Sequence, residues 1–161
     1  MARGISNSNG LAWSPDQRRL YWTDTKAHEI YKLDFDPGTG AIGERQLFIS
    51  FPQRAAGQTL EEYGGRPDGA AVDVDGYYWV AMFEGQRLLR ISPDGRIDRE
   101  LKLPVRCPTM PVFGGADLRT LFITTAREKR PAEELAAQPF AGCVLKVKVE
   151  TPGMAANVAL V

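Results

Sequence analysis

The sequence predicts an all-β fold, and two observations support this. Short runs rich in β-branched and aromatic residues recur along the 161 residues, and clusters of Gly, Pro, Asp and Asn separate these runs. A helical pattern is found only at residues 126–138, where Pro131 suits an early helix position after a charged lead-in. We therefore expect a β scaffold with one short helix.

Eight runs have the length and composition of strands. We predict strands at residues 20–24, 30–35, 45–49, 70–74, 77–82, 87–91, 121–125 and 143–149. Turn chemistry lies between them, with Pro, Gly and Asp at residues 14–16, 36–38, 75–76, 92–95 and 114–117. The chain is thus predicted to be a series of short strands joined by tight turns.

The predicted strands form a repeating pattern. The aromatic strand of each repeat begins at Leu20, Tyr77 and Leu121, at intervals of 57 and 44 residues. Repeats of about 40–50 residues with four short strands are typical of β-propeller blades, and an ordinary β-sandwich is the alternative. We therefore predict one partial propeller domain over residues 1–161, with roughly three blades. Its parts are blade 1 at about 7–50, an insertion loop at 51–66, blade 2 at about 67–107 and blade 3 at about 108–150.

Composition argues against several classes of function. The 20 Lys and Arg residues balance the 20 Asp and Glu residues without a long block of either sign, so no nucleic-acid partner is expected. No run approaches the roughly 20 apolar residues of a membrane span, and the first ten residues lack the apolar stretch of a secretory signal. Cys107 and Cys143 form no metal or redox motif, so both are predicted to be buried, reduced thiols. These features predict a cytoplasmic protein.

The tryptophans and the histidine favour packing roles. Trp22 and Trp79 lie in the aromatic strands of successive repeats, so we expect them in equivalent strands and largely buried. Trp13 is expected to pack between blades as well. His28 has no serine-hydrolase triad pattern around it and is predicted to have a surface or packing role.

Three motifs, in order, resemble one known family. The segments NGLAWSPDQRRLYWTDT, RPDGAAVDVDGYYWVAMFEGQRLLRISPDG and CPTMPVFGGADLRTLFITTA are similar to the second half of the SMP-30/gluconolactonase family, also called regucalcin-like lactonases. The similarity extends from about Asn7 to Val149. It implies a six-bladed β-propeller with one divalent metal in its central channel, which hydrolyses sugar lactones. The family's metal ligands include the Asn of N-G-L-x-W-S-x-D and the Asp of P-D-G, which correspond to Asn9 and Asp68.

The two positions agree with a shared metal site. Asn9 precedes the inner strand at 11–13 and Asp68 precedes the one at 70–73, so neighbouring blades bring both side chains toward the channel axis. An amide oxygen and a carboxylate suit hard cations such as Ca²⁺, Mg²⁺ or Mn²⁺. The expected cofactor is one divalent metal, with Zn²⁺ as a further candidate. The alternative is that the Asn-Gly and Asp-Gly pairs are simple turns.

The implied mechanism is metal-assisted ester hydrolysis. The metal polarises the lactone carbonyl and lowers the pKa of a bound water, while Asp68 holds that water and takes its proton. Asp68 is therefore the predicted catalytic residue. The roles of two other residues can each be interpreted in two ways. Thr109 lines the channel or belongs to a turn, and Arg66 meets an anionic sugar acid or is a solvated loop residue.

The chain departs from the family in length. Six blades of about 40–50 residues need about 240–300 residues, whereas this sequence has 161. The family's first metal ligand, a glutamate, and its Arg, Asn and Glu substrate contacts precede the Asn9 motif and have no counterpart here. We therefore expect a gluconolactonase-like hydrolase of a small-molecule sugar lactone that is incomplete as this chain and self-associates through open propeller edges. The alternative is a non-catalytic propeller module that binds a protein or a small ligand.

Overall fold

The computed structural model describes residues 3–155, which form three antiparallel sheets. Blade 1 contains β1 (Ser8–Trp13), β2 (Arg19–Asp24), β3 (Glu29–Asp34) and β4 (Gln46–Ser50). Blade 2 contains β5 (Arg66–Val72), β6 (Tyr78–Phe83), β7 (Arg87–Ile91) and β8 (Ile97–Lys102). Blade 3 contains β9 (Pro108–Gly114), β10 (Thr120–Thr125) and β11 (Leu145–Lys148), and α1 (Ala132–Ala137) lies between β10 and β11. The predicted all-β class is confirmed.

Tight turns join neighbouring strands because short polar side chains satisfy the turn backbone. Between β5 and β6, the Asp73 carboxylate accepts the backbone N–H groups of Asp75 at 3.1 Å and Tyr77 at 3.0 Å. Gly76 lies in the same turn with φ +83°, a conformation that glycine adopts without strain. The strands of a blade are therefore joined in sequence order, as in a β-meander.

The inner strands β1, β5 and β9 pack side by side, and two glycines permit their close approach. A Cβ atom on Gly10 would overlap with Thr23 and Tyr78, and a Cβ atom on Gly69 would overlap with the backbone of Thr109. The N-terminal part of each inner strand thus lies against that of the next. This is the arrangement of successive propeller blades around one channel.

The hydrophobic core lies between the blades in two layers, and β6 contributes to both. Tyr78, Val80 and Met82 belong to the layer between blades 1 and 2, together with Tyr21. Trp79 and the other alternate side chains of β6 belong to the layer between blades 2 and 3. Because successive strand residues point to opposite faces, one strand can pack against two neighbouring blades.

The structure differs from the sequence expectations for secondary structure in several places, and β5 covers Arg66–Val72 rather than 70–74. The helix is limited to Ala132–Ala137, since Pro131 keeps an extended ψ of 146° at the helix start and residues 126–131 are not helical. The last strand covers Leu145–Lys148 rather than 143–149. Strand β8 was not predicted, because its sequence IDRELK is polar and none of its residues is buried. No helix among residues 3–155 is long and apolar enough to cross a membrane.

Two expectations for side-chain burial are also wrong. Cys107 is buried, but Cys143 is exposed. Trp22 and Trp79 do lie in equivalent strands, β2 and β6, yet Trp79 is 2% exposed whereas Trp22 is only partly buried. Trp22 lies one position out of register with Trp79 and points to the opposite face of its blade.

Candidate functional site

Asn9 and Asp68 lie at β-bulges in equivalent inner strands, rather than ahead of those strands as predicted. The pairing register shifts between Asn9 and Ala12 in β1 and between Pro67 and Ala70 in β5. A bulge adds one residue to a strand and changes the direction of its side chains, and bulges are frequent beside active sites. The Asn-Gly and Asp-Gly pairs are therefore strand bulges that present a polar side chain.

The structure brings Asn9 and Asp68 into contact across blades 1 and 2. The Asn9 Nδ2 group donates a hydrogen bond to Asp68 Oδ1, and Asn9 Oδ1 accepts the Gly10 N–H at 3.1 Å. The Thr25 hydroxyl donates a second, longer hydrogen bond of 3.5 Å to Asp68 Oδ1. Rotation of the Asn9 amide by half a turn would place its oxygen beside the carboxylate, where both could face one cation.

A buried tyrosine supports the bulge that carries Asn9. The Tyr78 hydroxyl donates to the carbonyl of Gly10 at 2.5 Å and lies 3.0 Å from Thr23 Oγ1. Burial raises the pKa of Tyr78 above its usual value, so this hydroxyl stays protonated and remains a donor. Blade 2 therefore fixes the backbone of the blade 1 bulge at the residue next to Asn9.

Among residues 3–155, the Asp68 carboxylate has no cationic hydrogen-bond partner. Its hydrogen bonds come from the neutral Asn9 amide and the neutral Thr25 hydroxyl. Burial raises the pKa of Asp68 to about 6, although these hydrogen bonds and the charge of Arg66 act in the opposite direction. A cation beside the carboxylate would reverse this effect. The local electrostatics therefore fit a bound metal ion.

The donor set at this position is small. Within residues 3–155, no group of three or more His, Cys, Asp or Glu side chains comes together as a metal site. Asn9 and Asp68 offer hard oxygen donors, whereas Ca²⁺ takes about six to eight ligands. The two residues would thus supply part of a coordination shell, and water or further groups would supply the rest.

Asp68 opens into a cavity of about 440 Å³ that is lined by residues of blades 1 and 2. Of the described residues that line it, Asp68 is the one acid, and two are cationic. The lining residues are Asn7, Thr25, Lys26, His28, Arg66, Asp68 and Phe83. Asn7, Thr25 and Lys26 were not predicted as site residues, because they lie outside the two motifs and reach the cavity only through packing of the blades.

Other residues considered from sequence have structural partners. The Thr109 hydroxyl lies 2.8 Å from Thr124 Oγ1 in the neighbouring strand, which agrees with a structural role. His28 is buried, with its Nε2 hydrogen-bonded to the Tyr63 hydroxyl and its Nδ1 lying 3.2 Å from the carbonyl of Lys26. This pairing attaches the loop that contains Tyr63 to blade 1.

Comparison with known proteins agrees with the motif resemblance. Residues 1–127 match the SMP-30/Gluconolactonase/LRE-like region. A 6-deoxy-6-sulfogluconolactonase from Pseudomonas putida is 50% identical over 155 residues, which are 96% of this chain and 50% of the relative.

Solved structures give the same result. A calcium-binding protein, regucalcin, from Agrobacterium tumefaciens has a TM-score of 0.82 and 28% identity, over 93% of this chain and 48% of that chain. A gluconolactonase from Xanthomonas campestris has a TM-score of 0.60 and 29% identity, over 76% of this chain and 36% of that chain. The chain therefore spans about half the length of the curated relatives it matches.

Proposed function

We propose, because this chain belongs to the SMP-30/gluconolactonase/LRE-like family, that its blades form part of a divalent-metal-dependent hydrolase of sugar lactones. The contact between Asn9 and Asp68 is the observation that carries the proposal. These residues are 59 positions apart and come from different blades, yet matching bulges direct them to one point. Lactonase relatives and a calcium-binding regucalcin support the same function.

Asn9 and Asp68 would hold the metal ion. When bound there, a divalent cation would withdraw electron density from the lactone carbonyl and lower the pKa of a nearby water. The oxygen donors suit Ca²⁺, Mg²⁺ or Mn²⁺ better than soft metals, and Zn²⁺ remains a candidate.

Asp68 would act as the general base. Burial raises the pKa of Asp68, whereas a bound cation would lower it, so the carboxylate would be ionised beside the metal and able to accept a proton. Asp68 takes a proton from a water molecule as the water oxygen bonds to the lactone carbonyl carbon. The ring C–O bond then breaks, the ring oxygen takes up the proton from Asp68, and the product is an open-chain hydroxy acid.

Thr25 would position Asp68 for this step, because Asn9 turns its amide oxygen rather than its N–H group toward the carboxylate when both residues hold the metal. Thr25 and Asn9 donate to the same carboxylate oxygen, Oδ1, so no hydrogen bond in the described structure uses Oδ2. Oδ2 is therefore the oxygen we assign to the water. The cavity beside Asp68 has room for a monosaccharide-sized lactone.

The experiment compares Asp68→Ala with Asp94→Ala, a change at an exposed carboxylate in a turn of blade 2. Each variant is prepared as the 161-residue chain and as a fusion that places this chain after the N-terminal half of the Pseudomonas putida relative. Hydrolysis of gluconolactone is followed by acid release, with a chelator and after metal is added back.

We expect weak or no turnover by the 161-residue chain, because two ligands hold a cation poorly. The fusion is expected to show chelator-sensitive turnover that Asp68→Ala lowers at least 100-fold and Asp94→Ala leaves unchanged. Equal turnover by the two fusion variants would contradict the role of Asp68. A fusion that binds lactones without any turnover would favour the non-catalytic binding module.

A further inference from the structure

Two cationic side chains share the cavity of Asp68 and are not needed for the proposed hydrolysis. Arg66 lies two residues before Asp68 in β5, and Lys26 follows the end of β2 in blade 1. The cationic groups therefore reach one cavity from two blades. A lactone whose carbonyl lies at Asp68 would have its substituents within reach of these side chains.

Arg66 is held in a defined position. Its Nη1 lies 3.0 Å from Glu84 Oε2, and its guanidinium lies over the Phe83 ring at 4.9 Å from the ring centre. The side chain is one-third exposed, so part of the guanidinium faces the cavity. A positioned guanidinium loses little conformational freedom when it binds an anion.

Arg66 belongs to a cluster of two arginines and two glutamates, in which Glu84 contacts both arginines. Arg130 Nη1 lies 2.9 Å from Glu84 Oε1, and Glu134 binds the other side of the Arg130 guanidinium at 2.7 Å. The charges of the four side chains balance, and Arg66 contacts Glu84 through Nη1 alone. The part of Arg66 that is not paired with Glu84 remains available to an anionic ligand.

Lys26 is displayed by an ordered turn. The Asp24 carboxylate accepts the backbone N–H groups of Lys26 at 3.2 Å and Ala27 at 3.3 Å, which fixes the turn after β2. Lys26 forms no ion pair with any of the residues 3–155. Its ammonium group is therefore a second cation at the wall of the cavity, in which Asp68 is the one acid among the described lining residues.

His28 does not add to this charge. Burial lowers the pKa of His28 below its usual 6.5, so the ring is neutral at pH 7 and above. Its two ring nitrogens lie against Tyr63 and the carbonyl of Lys26. Lys26 and Arg66 are thus the cationic groups of this cavity.

We infer that Arg66 and Lys26 form a subsite for an anionic substituent of the lactone, a sulfonate or a phosphate ester. This inference rests on the proposed function and names a substrate class for the same site. Tetrahedral oxyanions accept two hydrogen bonds from a guanidinium and one from an ammonium group. The subsite would favour charged over neutral sugar lactones, and its affinity would fall as salt screens the charges.

The test measures binding rather than turnover, so that it does not depend on catalysis. The 161-residue chain is titrated in a chelator with gluconate, 6-deoxy-6-sulfogluconate and 6-phosphogluconate, and calorimetry gives each Kd. Arg66→Gln and Lys26→Gln are compared with Arg96→Gln. Arg96 is an exposed arginine in a turn of blade 2 whose partner is Asp94.

We expect at least tenfold tighter binding of one 6-substituted anion than of gluconate, and the tighter of the two identifies the recognised group. Arg66→Gln and Lys26→Gln are each expected to remove that preference, whereas Arg96→Gln keeps it. Lys26 is exposed, so its variant retains the fold and provides a test even where Arg66→Gln unfolds. Equal affinities for all three ligands, or an equal effect of Arg96→Gln, would overturn the inference.

The two proposals fail separately. If gluconolactone turnover depends on Asp68 but anionic ligands bind no more tightly than gluconate, the anion subsite is contradicted and the proposed function is retained. If the fusion has no lactonase activity but binds a sulfonate or phosphate tightly through Arg66, the hydrolase function is contradicted and the anion subsite is retained.

Discussion

The middle blade and its two neighbours differ in how their strands are buried. In blade 2, five of six residues of β6 and four of five residues of β7 are buried. In blade 1, β3 has buried residues only at its second and fifth positions, and β10 of blade 3 has them at its second and fourth positions. The contrast between blades 1 and 2 is clearest between β3 and β7, since β2 of blade 1 also buries four of its six residues. A strand with a neighbouring blade on both faces buries successive residues, because these point to opposite faces.

The same comparison explains the two tryptophans. Trp13 pairs with Leu20, whereas the corresponding Val72 of blade 2 pairs with Tyr78, so the β1–β2 connection is one residue longer than its counterpart. A shift of one residue moves a side chain to the opposite face of a strand. Tyr21 is therefore the structural counterpart of Trp79, and both point toward the next blade.

The candidate site lies on the face of blade 1 that packs against blade 2. Asn9 and Asp68 meet where blades 1 and 2 pack, and buried Tyr78 and Thr23 support the backbone there. A site between blades needs both to be in place, because each contributes one residue. The face of blade 1 that packs against blade 2 therefore carries the proposed function, whereas no function is proposed for its opposite, open face.

Substitution of the two tryptophans is expected to give the largest difference in free energy of unfolding between the middle blade and blade 1. Trp79→Ala removes a fully buried indole between blades 2 and 3 and is expected to lower the free energy of unfolding by about 3–5 kcal/mol. Trp22→Ala removes a partly exposed indole and is expected to cost about 1 kcal/mol or less. Urea denaturation followed by circular dichroism measures both.

The tryptophan pair is well matched, since each indole donates one hydrogen bond. Trp79 Nε1 donates to Asp73 at 2.9 Å and Trp22 Nε1 donates to Ser8 at 2.6 Å. Burial is therefore the main difference between them. A loss of stability as large for Trp22→Ala as for Trp79→Ala would show that the outer face of blade 1 is covered in solution.

Local signals in the sequence were sufficient to predict most of the fold. Strand runs and turn residues locate nine of the eleven strands in residues 3–155 at least in part, because each signal depends on a few consecutive residues. Strand β8 gives no such signal, since it lies at the outer edge of blade 2 and needs no apolar face. The extra residue in the β1–β2 connection of blade 1 also gives no signal in the sequence, because both aromatic strands contain Tyr-Trp.

The candidate site could be predicted only where it repeats. Asn9 and Asp68 stand at equivalent places in two repeats, so their proximity follows from the propeller geometry. Thr25 and Lys26 come from the turn after β2 and have no counterpart motif, so their approach to Asp68 depends on how the blades pack. The bulges themselves give no separate signal in the sequence, because Asn-Gly and Asp-Gly have the same backbone preference in a bulge as in a turn.

Buried His28 is expected to make the free energy of unfolding depend on pH. Because burial lowers the pKa of His28 below 6.5, the unfolded chain binds a proton more readily than the native chain. Its contribution is fully present above pH 6.5 and is lost as the pH falls toward the native pKa. The change in the free energy of unfolding from pH 5.5 to pH 7.5 should therefore be more positive for the unaltered chain than for His28→Gln, by about 1 kcal/mol or less.

Other ionisable groups near His28 do not prevent this measurement. Asp68, with its raised pKa, contributes an opposite slope because the native carboxyl binds a proton more readily there, and Arg66 stays charged. Both contributions are common to the two chains and cancel in the difference between them. Glutamine retains a donor for the Tyr63 hydroxyl. Identical pH slopes for the two chains would show that His28 is as accessible to protons as an unfolded residue.

The open face of blade 1 should affect association while leaving stability almost unchanged. Trp22 pairs with Tyr31 across β2 and β3, and Tyr31 pairs with Leu47 across β3 and β4, so the three side chains form one row. Leu47 is 55% exposed in this row. An uncovered apolar row on an open sheet favours contact with another molecule. We therefore expect the 161-residue chain to self-associate, with this face in the contact.

Leu47→Lys places a charge at the end of that row and is expected to weaken self-association at least tenfold, as measured by sedimentation velocity over a range of concentrations. Its effect on the free energy of unfolding should stay within about 0.5 kcal/mol, because the side chain is mostly exposed. Ile97→Lys is the matched control, since Ile97 is 53% exposed on β8 of the blade that is covered on both faces. If Ile97→Lys weakens association as much as Leu47→Lys, the added charge rather than the open face of blade 1 controls the contact. If only Leu47→Lys acts, the uncovered face is the surface through which two copies meet.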